Sequence, residues 1–588
     1  MIAFLNFLNN IDIKYSIENK NIYIKDNLYL NSTVIKSLPE NLSVCGDLDL
    51  RYSYIKELPE NLFVGGSLYL ESIEIEKLPD NLTIKGDLNL AYTKIKILPE
   101  SLSVGRSLNL RNTKIEVLPD NLFINGDLNL AYTKIEALPD NLFVNGSMDL
   151  SYSKIEILPK NLSVNGSLYL EYSKVKFLPE NLSVGGCLCL QSTEIKELPE
   201  DLSLNGDLDL SFTQIEKLPE NFFVKGSLSL ESSKIKTLSE NLSVGDILNL
   251  SNTDIEVLPK NLSVNGSLYL EYSKVKFLPE NFTIGGSLEL ANTEIEILPK
   301  NLSIRDNLKL KSKKIKELPE NLFIGGELDL SSTKIEILPK SLIVRGNLDL
   351  KYSNIKTIPE NFSVGGNLNL RNTKIKTLPK NFSVGGNLDL RNSHINILSE
   401  NLYVGGDLNG ESTKIKALPE NFIVHGDLYL RDTEIEALPE KFSIDGSLDL
   451  GFSKIKKLPE HLYVGGYLNL RNTEIEILPE NLSIGGNLNL ESTKIKVLPE
   501  NLSIGGKLYL DIDKIQNIAY RKNCEDNLQT IFACWVNNGF AIQMNDFFGT
   551  FQEFENMVDE KYSGEIAIEY KKLASTCIKE LTEKLKTL

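Results

Sequence analysis

Six cysteines, three histidines, one run of lysines and a set of evenly spaced tyrosines are the side chains of this 588-residue chain with the clearest chemical potential. The cysteines (Cys45, Cys187, Cys189, Cys524, Cys534 and Cys577) contain no Cys-x-x-Cys pair. Their scatter suits free thiols in a reducing interior better than a disulfide frame. Cys187 and Cys189 share an outward strand face, but no further Cys or His completes a metal set. His394, His425 and His461 lie in separate stretches without metal spacing. There is no Walker loop, no Gly-x-Ser-x-Gly and no Gly-x-Gly-x-x-Gly opening a helix, so no cofactor is expected. Asp329 and Asp349 would suit Ca²⁺, yet Lys351, Arg371 and Arg391 offer a simpler compensation. What remains is recognition chemistry. Arg305, Lys309, Lys311, Lys313, Lys314 and Lys316 make one basic stretch, a candidate contact for an anion or an acidic partner. Tyr132, Tyr152 and Tyr172, with Arg371 and Arg391, are of the types that anchor protein interfaces.

A twenty-residue unit positions all of these. Leu-Pro recurs at twenty-residue steps from Leu38 to Leu498, giving 24 consecutive units without insertion or deletion. Counting each unit from its Leu as slot 1, slots 1, 5, 7, 11, 13 and 18 are almost always apolar. The spacings 5–7 and 11–13 have the period of two that marks strands. Slot 9 is Gly in 21 of 24 units, which predicts a turn with positive φ. All 22 prolines fill slot 2, where a missing N–H suits a corner; Ser239 and Ser399 replace the other two. One unit cannot bury its apolar set alone, whereas stacked copies can. The period therefore predicts a mainly β protein, a parallel β-solenoid of about 24–25 coils. At about 4.8 Å per coil it would run roughly 115 Å.

The segment Leu48-x-Leu50-x-x-Ser53-x-Ile55-x-x-Leu58-Pro59 resembles a leucine-rich repeat, most closely the short bacterial class with twenty residues and a Leu-Pro step. The resemblance covers residues 21–518 and implies a binding scaffold of a bacterial or phage-type protein. It departs in one respect: the family's inward Asn is here Thr or Ser, as at Thr93, Thr113, Ser153 and Thr493. A hydroxyl satisfies fewer loop groups than an amide. The extra apolar slot 7 predicts a second short strand and a flatter coil. In the family the face matching slots 10, 12, 14 and 15 is the concave binding face. Here it carries Asp or Asn at slot 12 in 15 of 25 positions, charges at slot 14 and aromatics at slot 15.

Residues 1–20 read as an N-terminal cap, 21–518 as the solenoid, and 519–588 as a small ββαα cap or interaction domain. In the last, Thr530–Val536 and Phe540–Met544 flank an Asn-Asn-Gly turn, and Thr550-Phe-Gln-Glu553 is a capping box. Departures from the unit stand out at Lys313, which occupies the Thr slot, and at Gly410, which replaces an inward Leu and predicts a cavity. Lys160, Lys260, Lys300 and Lys340 each follow a Glu four residues earlier, a pattern of local compensation. Residues 158–181 and 258–281 are identical, the mark of an internal duplication.

The triplet Cys524-Glu525-Asp526 resembles the Cys-x-Asp motif of bacterial effector ubiquitin ligases, in which repeats precede a helical catalytic domain. That resemblance implies Cys524 as nucleophile and Asp526 as its assistant. Only 62 residues follow Asp526, too few for such a domain, and the strand-rich stretch after it is unlike an all-helical fold. A surface cysteine in a linker is the plainer reading, so no catalytic residue is assigned. The net charge of −17 argues against a nucleic-acid footprint; an acidic rod or nucleic-acid mimic is a third reading. The first residues lack a basic region and cleavage site, and no apolar run reaches membrane length. The expected setting is the cytoplasm, of its own cell or of a host, with a protein partner and no membrane.

Overall fold

The computed structural model describes residues 2–280, 282, 284–524 and 529–587. The chain is a parallel β-solenoid of about 24 coils followed by a small α+β region. Two compact units divide it, Met1–Ile295 and Glu296–Leu588. In each unit slots 11–12 form one two-residue strand per coil and slots 6–7 a second in most coils, reduced to a single bridge at Leu204. Leu48 pairs with Leu68 and Leu68 with Leu88, while Val44 pairs with Val64, always twenty residues on. The second strand expected from slot 7 is thus present. Leu48, Leu50, Ile55, Val64, Leu68 and Leu70 are fully buried, so the apolar columns form a dry interior.

The slot 9 glycines serve a different purpose from the one their type suggested. None has a positive φ. A β-carbon on Gly66 would stand 2.2 Å from Asp47 Oδ1 and 2.7 Å from the Gly46 carbonyl carbon. Gly66 N–H donates to Gly46 O at 2.9 Å. Gly is there because successive coils touch backbone to backbone. The positive φ occurs at slot 15 instead, for example +56° at Tyr52 and +59° at Tyr132.

The inward Thr replaces the family's Asn with a single bond. Thr93 Oγ1 donates to Leu90 O at 2.7 Å, and Thr133, Thr373 and Thr473 repeat the contact. Serines do this less well. Ser453 makes the bond at 2.6 Å, whereas the buried hydroxyls of Ser53, Ser173, Ser233, Ser273, Ser353 and Ser393 have no partner among the described residues. The Thr methyl restricts χ1, and Ser lacks that restraint. At Gly410 the expected cavity is closed: a β-carbon there would lie 3.1 Å from Ile415 Cδ1 and from Leu430 Cδ2.

In the N-terminal unit helix α1 (Ile2–Asn10) buries Phe4 and Leu8, and Ser16–Glu18 pairs antiparallel with Asn21–Ile24, covering that edge. In the C-terminal unit the expected hairpin is the centre of a four-stranded antiparallel sheet, with Ala519–Cys524 and Phe547–Thr550 on its flanks. Its turn is Asn537-Asn538, both with positive φ, as a type I′ turn requires. Helix α2 (Phe551–Lys561) starts with both bonds of the Thr550–Glu553 capping box, and α3 (Gly564–Thr587) packs beside it on the sheet.

Three side-chain amides close the last coil, one on each side. Asn517 bonds both Leu498 N and Leu498 O at 2.8 Å. Asn537 does the same for Ile504 at 2.8 Å. Gln543 Oε1 accepts from Leu508 N at 2.8 Å. Each imitates the backbone of a coil that is not there.

Two outcomes are expected. Ser173→Thr restores the missing bond and raises the urea midpoint, by about 0.5–1 kcal/mol of stability. Asn517→Ala and Gln543→Ala each orphan a buried backbone group at a cost of about 1–3 kcal/mol, seen as faster amide exchange in the coils around Leu498 and Leu508.

Candidate protein-binding surfaces

The slot 12 Asp and Asn side chains are occupied within their own coil. Asp389 Oδ1 accepts from Arg391 N at 3.0 Å, Asn369 Oδ1 from Arg371 N at 3.0 Å, and Asp329 Oδ1 from Ser331 N at 2.9 Å. These bonds fold the strand into the slot 14–15 turn. Arg391 is drawn in as well, its Nη2 lying 2.6 Å from Asp389 Oδ2. Arg371 is half-buried, with no partner for Nε among the described residues.

In the basic coil, Lys309 stands opposite Asp329 in the ladder and Lys311 Nζ lies 3.1 Å from Asp329 Oδ2. Burial pushes the Asp329 carboxyl up, but bonds from Ser331 and Lys311 outweigh it and hold the group below the ordinary range. Lys313 does not enter the Thr slot. It is exposed, and Ser312, one residue earlier, turns inward and accepts from Lys314 N at 3.2 Å. A Lys cannot be buried without a partner, so the backbone shifts by one residue.

Tyr132, Tyr152 and Tyr172 stack with centroids 4.5 Å apart in both pairs. The Arg111 guanidinium caps the column 4.8 Å above Tyr132. Slot 15 lies in the turn after the strand, so this ridge borders the sheet face and is not part of its pleat. Bulky side chains are disfavoured at positive φ. All three are nevertheless 43–47% exposed.

The charges of slots 17 and 19 pair between coils. Glu256 bonds Lys276 at 2.6 Å and Glu336 bonds Lys356 at 2.5 Å, in place of the compensation by Lys260 and Lys340 that spacing suggested. Twenty residues in sequence is one coil in space, closer than four residues around a corner.

Slot 20 escaped sequence reasoning. Ile97, Val117, Ile157 and Phe177 are 66–75% exposed, one above another in the N-terminal unit. A groove of about 580 Å³ opens there, lined by Val117, Ala137 and Pro139, by Glu116, Asp120 and Glu136, and by Lys134 and Lys154. Across the array slot 20 is mixed, so its average looks polar; reading it coil by coil reveals the run.

Cys524 is not on the surface of a linker: it ends the strand Ala519–Cys524 at 5% exposure, within the apolar core of the terminal sheet and helices, and its thiol donates to Arg521 O at 3.5 Å. Burial pushes that thiol up, the opposite of what a nucleophile needs. Asp526 lies outside the described residues. Cys534 and Cys577 are pushed up to about 12 and about 11 by burial, and Cys189 to about 12 by burial and Glu171. No group of three metal-ligating side chains occurs among the described residues. None of the described helices is long and apolar enough to cross a membrane.

No family model matches the chain, and no curated protein matches it. Solved structures do. YopM from Yersinia enterocolitica WA-314 is 21% identical, over 82% of this chain and 91% of that one, with a TM-score of 0.35. The leucine-rich effector YopM of Yersinia pestis is 18% identical over 65% and 88%, with a TM-score of 0.30. The Drosophila Toll–Spätzle complex gives 16% identity over 78% and 75%, with a TM-score of 0.35.

Thiol labelling with iodoacetamide near neutral pH checks the cysteine assignment. Exposed Cys45 is expected to react first, and Cys524, Cys534 and Cys577 only in denaturant. Equal rates for Cys524 and Cys45 would restore the nucleophile reading.

Proposed function

We propose that the chain is a non-enzymatic repeat scaffold that binds another protein through its extended surface, in a cytoplasm of its own or of a host. The observation that carries this reading is the tyrosine ridge. At slot 15 Asn is the residue the backbone favours, and Asn112, Asn252 and Asn372 show that it fits. Tyr132, Tyr152 and Tyr172 hold the same backbone with large exposed rings. Stacking offsets part of the strain, and their outer edges present a row of phenol groups suited to a partner's polar backbone. In the C-terminal unit Lys313, with Lys309, Lys311, Arg371 and Arg391, is proposed to add a cationic contact for an acidic segment. Residues 1–20 and 519–588 are proposed as caps, which leaves the lateral surfaces as the working ones.

The triple variant Tyr132→Asn, Tyr152→Asn and Tyr172→Asn suits the turn and is expected to fold. It should lose at least about tenfold in affinity for a partner whose complex with the native chain has been established by calorimetry. Retained affinity together with a lower urea midpoint would make the ridge purely structural and overturn the assignment.

A further inference from the structure

We infer that the sheet face around Arg371 is a receptor for one carboxylate, from an Asp or Glu side chain of a partner protein. It rests on the cationic contact proposed above and narrows that contact to a single cation. Slot 14 holds eight cations along the chain, and among the described residues seven are satisfied in place. Arg51, Lys351 and Arg391 reach the slot 12 Asp of their own coil at 2.7, 2.9 and 2.6 Å. Lys311 and Arg471 reach a carboxylate of the following coil at 3.1 and 3.3 Å. The guanidinium of Arg111 lies over the Tyr132 ring, and that of Arg431 over the Phe452 ring. Arg371 does none of these. Its slot 12 residue is Asn369, so the carboxylate of its own coil is missing. In the ladder Asn369 stands between Asp349 and Asp389, which Lys351 and Arg391 already hold. No hydrogen bond or ion pair reaches the Arg371 side chain among the described residues, although it is half-buried and its Nε is sealed from solvent. A half-buried cation without a counter-charge is unfavourable in the free protein, and an arriving anion relieves it.

The surroundings supply donors. Slots 10, 12 and 14 of one strand share a side of the sheet. Asn367 Oδ1 accepts from Asn387 N at 2.7 Å, Asn387 Oδ1 from Asp407 N at 2.8 Å, and Asn369 Oδ1 from Arg371 N at 3.0 Å. The backbone thus takes each amide oxygen, and none of the three Nδ2 groups has an acceptor among the described residues. Asn367 and Asn387 are exposed. At Asp127 the same ladder bond to the next coil leaves a carboxylate oxygen in place of an amide donor.

Charge selects the occupant. Within one coil on either side this face carries Lys351, Arg371 and Arg391 against Asp349 and Asp389, one positive charge in excess. The next carboxylates on the face, Glu327, Asp329, Asp407 and Glu411, lie two coils away, roughly 10 Å, where salt screens them. One excess charge with amide donors beside it suits one carboxylate, which a guanidinium can hold with two parallel bonds. The overall charge of −17 opposes a polyanion such as a nucleic-acid strand.

The test titrates the full chain by calorimetry with a capped nonapeptide of Gly, Ser and Gln that carries one central Glu, beside counterparts with Gln or phosphoserine in its place. The Glu peptide is expected to bind, and the Gln peptide at least about tenfold more weakly. Arg371→Gln places a residue that slot 14 already accepts at Gln191, so it should keep the native urea midpoint and lose about tenfold or more in affinity. Asn369→Asp recreates the pair seen at Asp389 and Arg391. It should raise the urea midpoint and weaken binding as much, with Arg371 still present. Asn409→Asp puts the same charge in the same column two coils away and should leave affinity within about twofold. No binding of the Glu peptide, or equal binding of the Gln peptide, overturns the proposal. So does tighter binding of the phosphoserine peptide, which would make this a phosphate site, or equal loss in Asn369→Asp and Asn409→Asp, which reduces it to bulk charge. Lys313→Gln separates the two readings: loss there with Arg371→Gln unchanged leaves the broader cationic contact standing and sinks this one alone.

Discussion

Each coil takes its hydrogen-bond partners and one wall of its core from the coil before it. That dependence sets nearly everything else. Leu48 is fully buried only because its neighbours twenty residues away cover it, and Gly66 lacks a side chain because Gly46 already occupies the space. A period without insertions follows directly: one extra residue would turn an entire column outward. The dependence also leaves the last coil with unpaired backbone on three sides. Asn517, Asn537 and Gln543 meet that need with amides, the side chains closest in chemistry to a peptide bond.

Stacking has a second effect: it converts sequence spacing into columns. Residues twenty apart become neighbours, so ion pairs and rings find partners in the adjacent coil. Glu256 with Lys276 and Tyr132 with Tyr152 are examples. A surface here is a property of several coils, and a motif confined to one coil has little meaning. Cys524-Glu525-Asp526 illustrates the point. Its cysteine belongs to the core of the terminal sheet and helices, and its resemblance to a catalytic triplet carries none of the required exposure.

The interior was readable from the residues because burial imposes a strict rule at each inward slot. Period two, the Leu and Ile columns, the hairpin at Asn537-Asn538 and the capping box at Thr550 all follow from local physics. Three features were not readable in the same way. The role of the slot 9 Gly depends on the distance between coils, which no single unit contains. Lys313 appeared to enter the Thr slot because counting assumes a rigid register, whereas the backbone shifts to admit Ser312. The slot 20 stripe was hidden by averaging over coils that differ. The outward residues face no common rule, so each column must be read by itself.

The duplicated segments sharpen this. Residues 158–181 and 258–281 are identical, yet Tyr172 stacks on Tyr152 and is 47% exposed, whereas the position before Tyr272 is Asn252 and Tyr272 is 62% exposed. Glu256 lies 2.6 Å from Lys276, whereas its counterpart Glu156 lies 3.9 Å from Lys174. The same twenty-four residues therefore present different surfaces in the two places. Duplication copies the interior intact, because every coil asks the same of its neighbour, but recognition has to be rebuilt from whatever lies alongside. A solenoid of this kind gains length while each coil keeps the same interior, and gains new surfaces by changing only the neighbours.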